Sequence, residues 1–596
     1  MAEYKNPNQQ GGKQDSSSLL ILMTVVLAIF LGMEAFRPKT NSTPPAQNKA
    51  QTNATAENGA NKSAAAVTTP AIPAEKSSTT PQVAAAKETT TTVENELYKI
   101  TFSNRGGQVI SWILKKYPNH LNKPLDLVNT EAAKKFGYPL SIYTPDAGLR
   151  QQIAQALYVP SATGNLTVPA QLSFNYSAGG LVVHKVFHFD NSYVIRADVS
   201  VTRNGEPVEA LIAWPAGFGD QREQRQYSSD QKLDRATGGK VESIAAKKVS
   251  DGEVHPGVLD WGGVSDLYFA AIFLPDKPDS STFVSLRNMM NVPKDPSDPN
   301  GKTDSLPVLG AAAGVANGTT SLRLFAGPKV LSLLHSIRAT GTNGKETGPS
   351  LVSLVHYGMF SIVAKPLFYL LRWIYVYIVP NWGWSILLVT LAITMAMFPT
   401  RFTMMKSSIK MQRIQPQINY IKEKYKKYKF DDPRKQDMNR EMQELYKKEN
   451  VNMFGSCLPM LIQLPLIYAF YEMLENAIEL RHAGWFWLHD LSAPDPLHIL
   501  PIVMVVSQFL VQIFSPQPGV DASQQKMMAF TMPLFSGFIC WHYASGLALY
   551  WAGSNMIGIG QQMIINRTKL GKELREIQLK RAMKKKGGRV AAVSRR

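Results

Sequence analysis

The chain has 596 residues, a formal net charge of +19 and two cysteines. That length allows several domains, and a basic excess of this size favours nucleic acid or an anionic membrane surface as partner. Much of the excess lies beside apolar segments, from Arg401 to Lys429 and from Arg567 to Arg596, which favours the membrane and argues against DNA. Cys457 and Cys540 both fall inside apolar runs, so neither a disulfide framework nor a metal-ligand spacing is present.

The N-terminus has a polar start with Lys5 and Lys13, then an apolar run from Leu19 to Leu31. A cleaved signal peptide and an uncleaved anchor share this pattern. The residues that follow, Gly32-Met-Glu-Ala-Phe-Arg-Pro38, offer a poor small-residue cleavage site, so 1–36 reads as a transmembrane anchor. Residues 37–92 are rich in Ala, Thr, Pro, Asn and Ser. Such a segment cannot bury enough apolar surface to offset its ordering entropy, and it reads as a disordered tether.

Over 93–350 the pattern becomes short β-like runs. The stretch "LVVHKVFHF" (181–189), then Asp190-Asn-Ser192, then "YVIRADVSV" (193–201) predicts a hairpin. In its second arm Tyr193, Ile195, Ala197, Val199 and Val201 alternate with Arg196, Asp198 and Ser200, as a half-buried strand requires. So many short strands predict an antiparallel β-sandwich of two packed sheets.

After Leu351 the chain reads as a membrane domain. Over 351–380 the segment "AKPLFYLLRWIYVYIV" (364–379), with Lys365 and Arg372 among closely spaced aromatics, predicts an amphipathic helix lying along the bilayer surface. Spans are predicted at about 382–401, 455–474, 498–514, 527–543 and 546–565, a five-helix core within 381–566, six spans with the anchor. Several are only roughly 17 residues, at the low end of what crosses an apolar core of about 30 Å. Short spans thin the bilayer around them. Basic residues gather at Arg401–Lys448 and in the tail 567–596, so both, and both termini, are predicted cytoplasmic, with the β domain on the far side.

Between the second and third spans, over 402–450, Met404, Met411, Ile414, Ile418, Ile421, Tyr425 and Tyr428 keep the three-four spacing of a coiled-coil seam. Asp432-Pro433 supplies an N-cap and a proline at the first helical position, and Met438, Met442 and Leu445 continue the apolar face. A cytoplasmic helical hairpin with basic flanks follows, either a solvated stabilising element or a docking site.

The third span, "FGSCLPMLIQLPLIYAFY" (454–471), carries Pro459, Pro465 and Gln463. Each proline removes a backbone donor, and a buried amide needs partners. Glu472, Glu475 and Glu479 repeat at intervals of three and four near its outer end. They are predicted to snorkel toward water from the interface.

The motifs "NWGWSILLVT" (381–390), "MFGSCLPMLIQLPLIYAFYEML" (453–474), "ELRHAGWFWLHDLSAPDPLHILP" (479–501) and "SGLALYWAGSN" (545–555) look like the YidC family of membrane-protein insertases. The stretch "FSNRGGQVISWILKKY" (102–117) resembles the start of that family's periplasmic domain, similar in fold to sugar-binding supersandwich proteins. The match keeps motif order over nearly the whole chain. The resemblance implies an inner-membrane insertase and chaperone, not an enzyme, that needs no metal or cofactor. It also implies a polar groove, open to the cytoplasm and to lipid, that takes nascent membrane proteins. The Sec translocon and ribosomes are implied as partners. The basic tail and hairpin suit rRNA phosphate and equally suit anionic lipids.

By this resemblance Thr390, Tyr550 and Trp551 occupy groove-lining positions, and Gln463, with the carbonyls freed by the prolines, is expected to face the same groove. The family's groove arginine, aligned without gaps from Asn381 to Pro399, falls on Thr394, and Arg401 lies seven residues further as a possible replacement charge. Other readings stand beside these. Gln463 also suits interhelical bonding, threonine hydroxyls bond back to their own helix, and aromatics pack in any bundle. A wet, short groove predicts that Thr390, Thr394 and Gln463 outweigh any single charge. A transporter with a periplasmic binding domain is a rival reading, but no internal repeat is obvious. A carbohydrate-active β domain is another, but no convincing carboxylate pair is present.

Overall fold

The computed structural model describes residues 82–119, 122–222, 230–293, 301–341, 344–428, 432–451, 458–514 and 522–577, with 579, 580 and 583. The predicted anchor, the tether as far as residue 81, Cys457 and the end of the tail lie outside the described residues. The chain falls into two compact units, one ending at Leu354 and the other continuing from Val355.

The first unit is built on β-strands. A ten-stranded sheet starts at an edge, Lys240–Ala245, and runs through Lys232–Thr237, Trp261–Ser265, Phe269–Pro275 and Thr320–Pro328. It continues through Val194–Arg203, Leu181–Phe189 and Ala170–Ala178 to Val159–Pro160, with Glu206–Pro207 added beside Val194–Arg203. Its inner strand Phe269–Pro275 is buried on both faces, which is why it reads as an unbroken apolar run. Thr320–Pro328 joins two halves that are far apart in sequence, pairing with Phe269–Pro275 on one side and Val194–Arg203 on the other.

The predicted hairpin is present: Ile195 faces Phe189, Ala197 faces Phe187 and Val201 faces Val183. Ile195, Ala197, Val199 and Val201 are buried while Arg196 is exposed.

Two five-stranded sheets complete the unit. One follows the order Pro124–Asp126, Gln108–Pro118, Tyr98–Ser103, Thr90–Glu94, Gly164–Thr167. The other follows Glu253–His255, Ser281–Pro293, Thr303–Val315, Leu211–Trp214, Ser141–Tyr143. The expectation of an antiparallel sandwich of two sheets is therefore corrected, among the described residues, to three sheets with one parallel pair, Thr90–Glu94 beside Gly164–Thr167. A parallel pair needs a long crossover, and the chain between these strands supplies one that includes the short helices α1 (Thr130–Phe136) and α2 (Ala147–Gln155). Trp112 of the first small sheet packs on Trp214 of the second at 5.7 Å, and Trp214 on Phe218 at 5.7 Å, so aromatic rings close the interior. A third short helix, α3 (Leu331–Ser336), follows the last strand.

The second unit is helical: α4 (Ser361–Tyr377), α5 (Trp382–Ala396), α6 (Phe398–Lys424), α7 (Arg434–Lys448), α8 (Leu458–Asn476), α9 (Ile499–Phe514), α10 (Ala522–His542) and α11 (Ser545–Arg567). A further short helix, α12, covers 569–577. Among the described residues no single helix is long and apolar enough to cross a membrane, while the pair α5 and α6, bent by 48°, meets that requirement together. The bend falls where Pro399, in the first turn of α6, cannot donate to a carbonyl of α5. At 15 residues, α5 is about 22 Å long.

Helix α6 packs along α7 through Met411, Ile414, Ile418, Ile421, Tyr425, Met438 and Met442, with Tyr428 and Leu445 at the margin. The predicted seam is present except at Met404, which is half-buried and outside this cluster. Upstream of Met411 the apolar partner changes: Met405 and Ile409 pack on Ile565 instead. The Asp432 carboxylate accepts the Arg434 amide at 3.0 Å, so the predicted cap forms.

Candidate functional site

Helix α5 starts with a cap. The Asn381 side chain accepts the Trp384 amide at 3.1 Å, and the apolar run that follows needs no further local device. Along α5 the face carrying Thr390 and Thr394 is buried and turned to α11. Both hydroxyls donate within their own helix, Thr390 Oγ1 to the Ile386 carbonyl at 2.7 Å and Thr394 Oγ1 to the Thr390 carbonyl at 2.8 Å. Both hydroxyls are thereby engaged, as the back-bonding alternative expects, because the i−4 carbonyls of a helix lie within reach of any threonine.

The polarity at this face comes from α11. Gln561, buried, donates Nε2 to the Thr394 carbonyl at 3.0 Å, next to the break between α5 and α6, while its Oε1 is enclosed without a protein partner. Arg401, just past the break, lies over Gly558 of α11, with Nη2 3.2 Å from where a Cβ would stand. Among the described residues no carboxylate pairs with it. Asn555 donates to Ser507 of α9 at 3.1 Å. Gln508 on α9 and Gln412 on α6 carry enclosed amide oxygens without a protein partner.

The structure thus brings Thr390, Thr394 and Arg401 to one side of α11. Tyr550 is buried further along α11 and stacks on Phe470 of α8 at 4.0 Å. Gln463 and Trp551 are half-buried, and among the described residues no hydrogen bond joins them to the rest. In α8 only Pro465 is interior, whereas Pro459 occupies the first turn, where a missing donor is harmless. Pro465 leaves the Leu461 carbonyl, four residues before it, without its usual helical donor.

The three acids at the end of α8 do not reach freely into water: Glu472 and Glu475 in its last turns and Glu479 beyond it are all half-buried. Asn476, the last residue of α8, donates Nδ2 to the Glu472 carbonyl at 2.8 Å, and burial pushes the Glu479 carboxyl up to about 7. Aromatic residues cluster above the start of α5, with Trp384 5.8 Å from Trp485 and 5.9 Å from Phe486.

Ser554, Gly558, Gln561 and Asn555, Gln562 form a polar stripe at helical spacing on α11, and the sequence reading passed over it. The available signal was the cost of amides inside an otherwise apolar segment. Among the described residues no cluster of three or more His, Cys, Asp or Glu side chains suits a metal.

Two family descriptions cover this chain: YidC periplasmic domain over 90–370, and 60Kd inner membrane protein over 373–573. The membrane protein insertase YidC of Haemophilus influenzae (strain PittEE) is 30% identical over 576 residues, covering 93% of this chain and 98% of that protein. That of Geobacter sulfurreducens is 32% identical over 487 residues, covering 79% and 85%. That of Cupriavidus pinatubonensis is 37% identical over 401 residues, covering 65% and 66%. Among solved structures, an active YidC insertase with its first transmembrane domain resolved is 19% identical with a TM-score of 0.33, covering 81% of this chain and 95% of that one.

A β-rich periplasmic domain followed by a helical inner-membrane unit defines the class: a membrane protein insertase, not an enzyme. The chain belongs to the YidC family. The transporter and carbohydrate-enzyme readings are set aside on that ground.

Proposed function

We propose that the helical unit receives nascent membrane proteins in a wet chamber bounded by α5, α6, α9 and α11, and passes their apolar segments sideways into lipid. The observation that carries this reading is the pair of enclosed amide oxygens at Gln508 and Gln561. Buried acceptors without a protein partner call for water or a passing N–H, and those of Gln508 and Gln561 belong to α9 and α11, which pack on each other. The outer faces of α9 and α10 are apolar, with Ile502, Val506, Phe530, Leu534 and Phe538 exposed, as lipid contact requires. A charge at the bilayer centre costs about 2.5–3.5 kcal/mol on insertion scales. A polar half-way station in a bilayer thinned by short helices divides that barrier.

The proposed client-groove residues are Thr390, Thr394, Gln463, Tyr550 and Trp551, now with Gln508 and Gln561, and with Arg401 as the groove charge. In this reading five spans within 381–566 join an N-terminal anchor (1–36) and tether (37–92). Both termini, the hairpin 402–450 and the tail 567–596 are cytoplasmic, and α4 within 351–380 lies along the membrane surface. The resemblance in the motifs supports the Sec translocon and the ribosome as partners, the latter through the basic tail and hairpin, where anionic lipids are also held.

The test is site-specific photo-crosslinking of a stalled client. Probes at Thr394, Gln463 and Gln561 should capture it, and probes at the lipid-facing Phe530 and Leu534 should not capture its polar tail. Capture of the polar tail at Phe530 with none at Gln561 would overturn the reading.

A further inference from the structure

Helix α11 ends at Arg567, but the chain does not run off into solvent. Thr568 takes an extended conformation and caps both sides of a corner, its amide bonding the Ile565 carbonyl at 3.0 Å and its own carbonyl accepting the Lys572 amide at 3.0 Å. Helix α12 then turns back. Leu570, Leu574 and Ile577, spaced to share one face, pack with Phe398 and Phe402 on Met405, Ile409 and Ile565. Glu573 on the same segment pairs with Arg413 of α6.

The corner leaves no room for a side chain at its tightest point. A Cβ on Gly571 would stand 2.4 Å from the Asn566 Cα and 2.5 Å from the Ile565 carbonyl oxygen, both backbone atoms that cannot swing away. The ion pair is exposed, and such pairs contribute little. The apolar face therefore holds the segment.

The apolar contacts fall on α6 between the break at Met397 and Met411, where its cluster with α7 starts. That stretch lies outside the α6–α7 cluster and packs on α12 and Ile565. We propose that α12 is a brace: it fixes the angle at which the α6–α7 pair leaves the rest of the helical unit, so that a partner gripping the basic chain beyond residue 580 and peeling α12 away frees the pair to swing. The basic tail thereby acts on the hairpin through a defined mechanical link. The brace stands whether or not the chamber works as proposed, since its test needs no client.

The experiment uses the full chain in lipid nanodiscs, with spin labels at two exposed positions, Tyr420 on α6 and Met563 on α11. Pulsed electron-spin spectroscopy should give one narrow distance peak. Gly571→Ala and Leu574→Ser should each replace it with a broad distribution, while Leu574→Met and removal of the chain from residue 581 onward should leave it narrow. Narrow peaks in both Gly571→Ala and Leu574→Ser would overturn the proposal. Broadening on removal of the distal tail alone would overturn it as well, because the restraint would then lie outside α12.

Discussion

Lys185 is fully buried, and its ammonium donates to three backbone carbonyls: Gly106 at 2.8 Å, Gly107 at 3.1 Å and Leu140 at 3.0 Å. Gly106 and Gly107 form a left-handed turn in one small sheet, Leu140 precedes a strand of the other, and Lys185 belongs to the large sheet. One side chain thus ties three sheets together. Alternation along 181–189 places Lys185 on the inward face, so its burial was legible in the sequence. Its three acceptors come from distant residues and were not.

Burial pushes Lys185 from its usual 10.5 down to about 7. Between those values the unfolded chain holds a proton that the folded chain lacks, so this group's contribution to stability rises with pH from about 7 to 10.5 and is flat below 7. Denaturation of the first unit in the wild type and in Lys185→Met should show a difference that changes in that sense. A difference independent of pH would contradict it. The substitution itself strands three carbonyls, at about 1–3 kcal/mol each.

At the groove, the positions of Thr390 and Thr394 on one face were legible from helical spacing, but their hydrogen bonds decide what they can offer. Thr394→Val should change client insertion little, because its hydroxyl is already engaged. Gln561→Leu should impair insertion strongly, since it strands the Thr394 carbonyl and removes an enclosed acceptor. Arg401→Ala should be mild if hydration rather than charge draws the client in. A severe Arg401→Ala defect at normal protein levels, rescued by Thr394→Arg, would reverse that ranking.

At the scale of elements, the α6–α7 seam was legible because apolar spacing of three and four survives in a mostly polar sequence. The switch of partner above Met411 was not, since the same spacing serves any neighbour. Ile418 sits in the middle of the seam and is buried, so Ile418→Ala should cost about 2–5 kcal/mol of local stability. Hydrogen exchange of the α7 amides should accelerate accordingly, with α8 unaffected. Replacing the exposed Tyr420 by Ala is the matched control and should leave α7 protection unchanged. Residues 382–401 read as one span, and the 48° break inside it was not foreseen, although Pro399 carries the missing donor that permits it.

For the whole molecule, the division into a β-rich and a helical unit was readable from the change of hydrophobic period near Leu351. The third sheet was not, because strand order is set by long-range pairing that no local pattern encodes. Every proposed groove residue lies after Leu351. Removing about 100–320 while keeping the anchor should therefore leave client insertion largely intact, as measured by membrane integration of a small client. Complete loss in a folded, membrane-integrated variant would contradict it.

The strand Thr320–Pro328 has a consequence in time. It is the last strand of its unit in the chain, yet it occupies the middle of the ten-stranded sheet, between partners that precede it by roughly 50 and 130 residues. Until it arrives, the strands 170–203 and 232–275 are two fragments with raw edges, and loop closure over such separations is slow. Assembly of this unit is therefore keyed to the moment when its final strand clears the membrane, shortly before the helical unit emerges. Nascent chains arrested before residue 320 should stay protease-sensitive throughout 170–275, and those arrested after residue 330 should become resistant in one step.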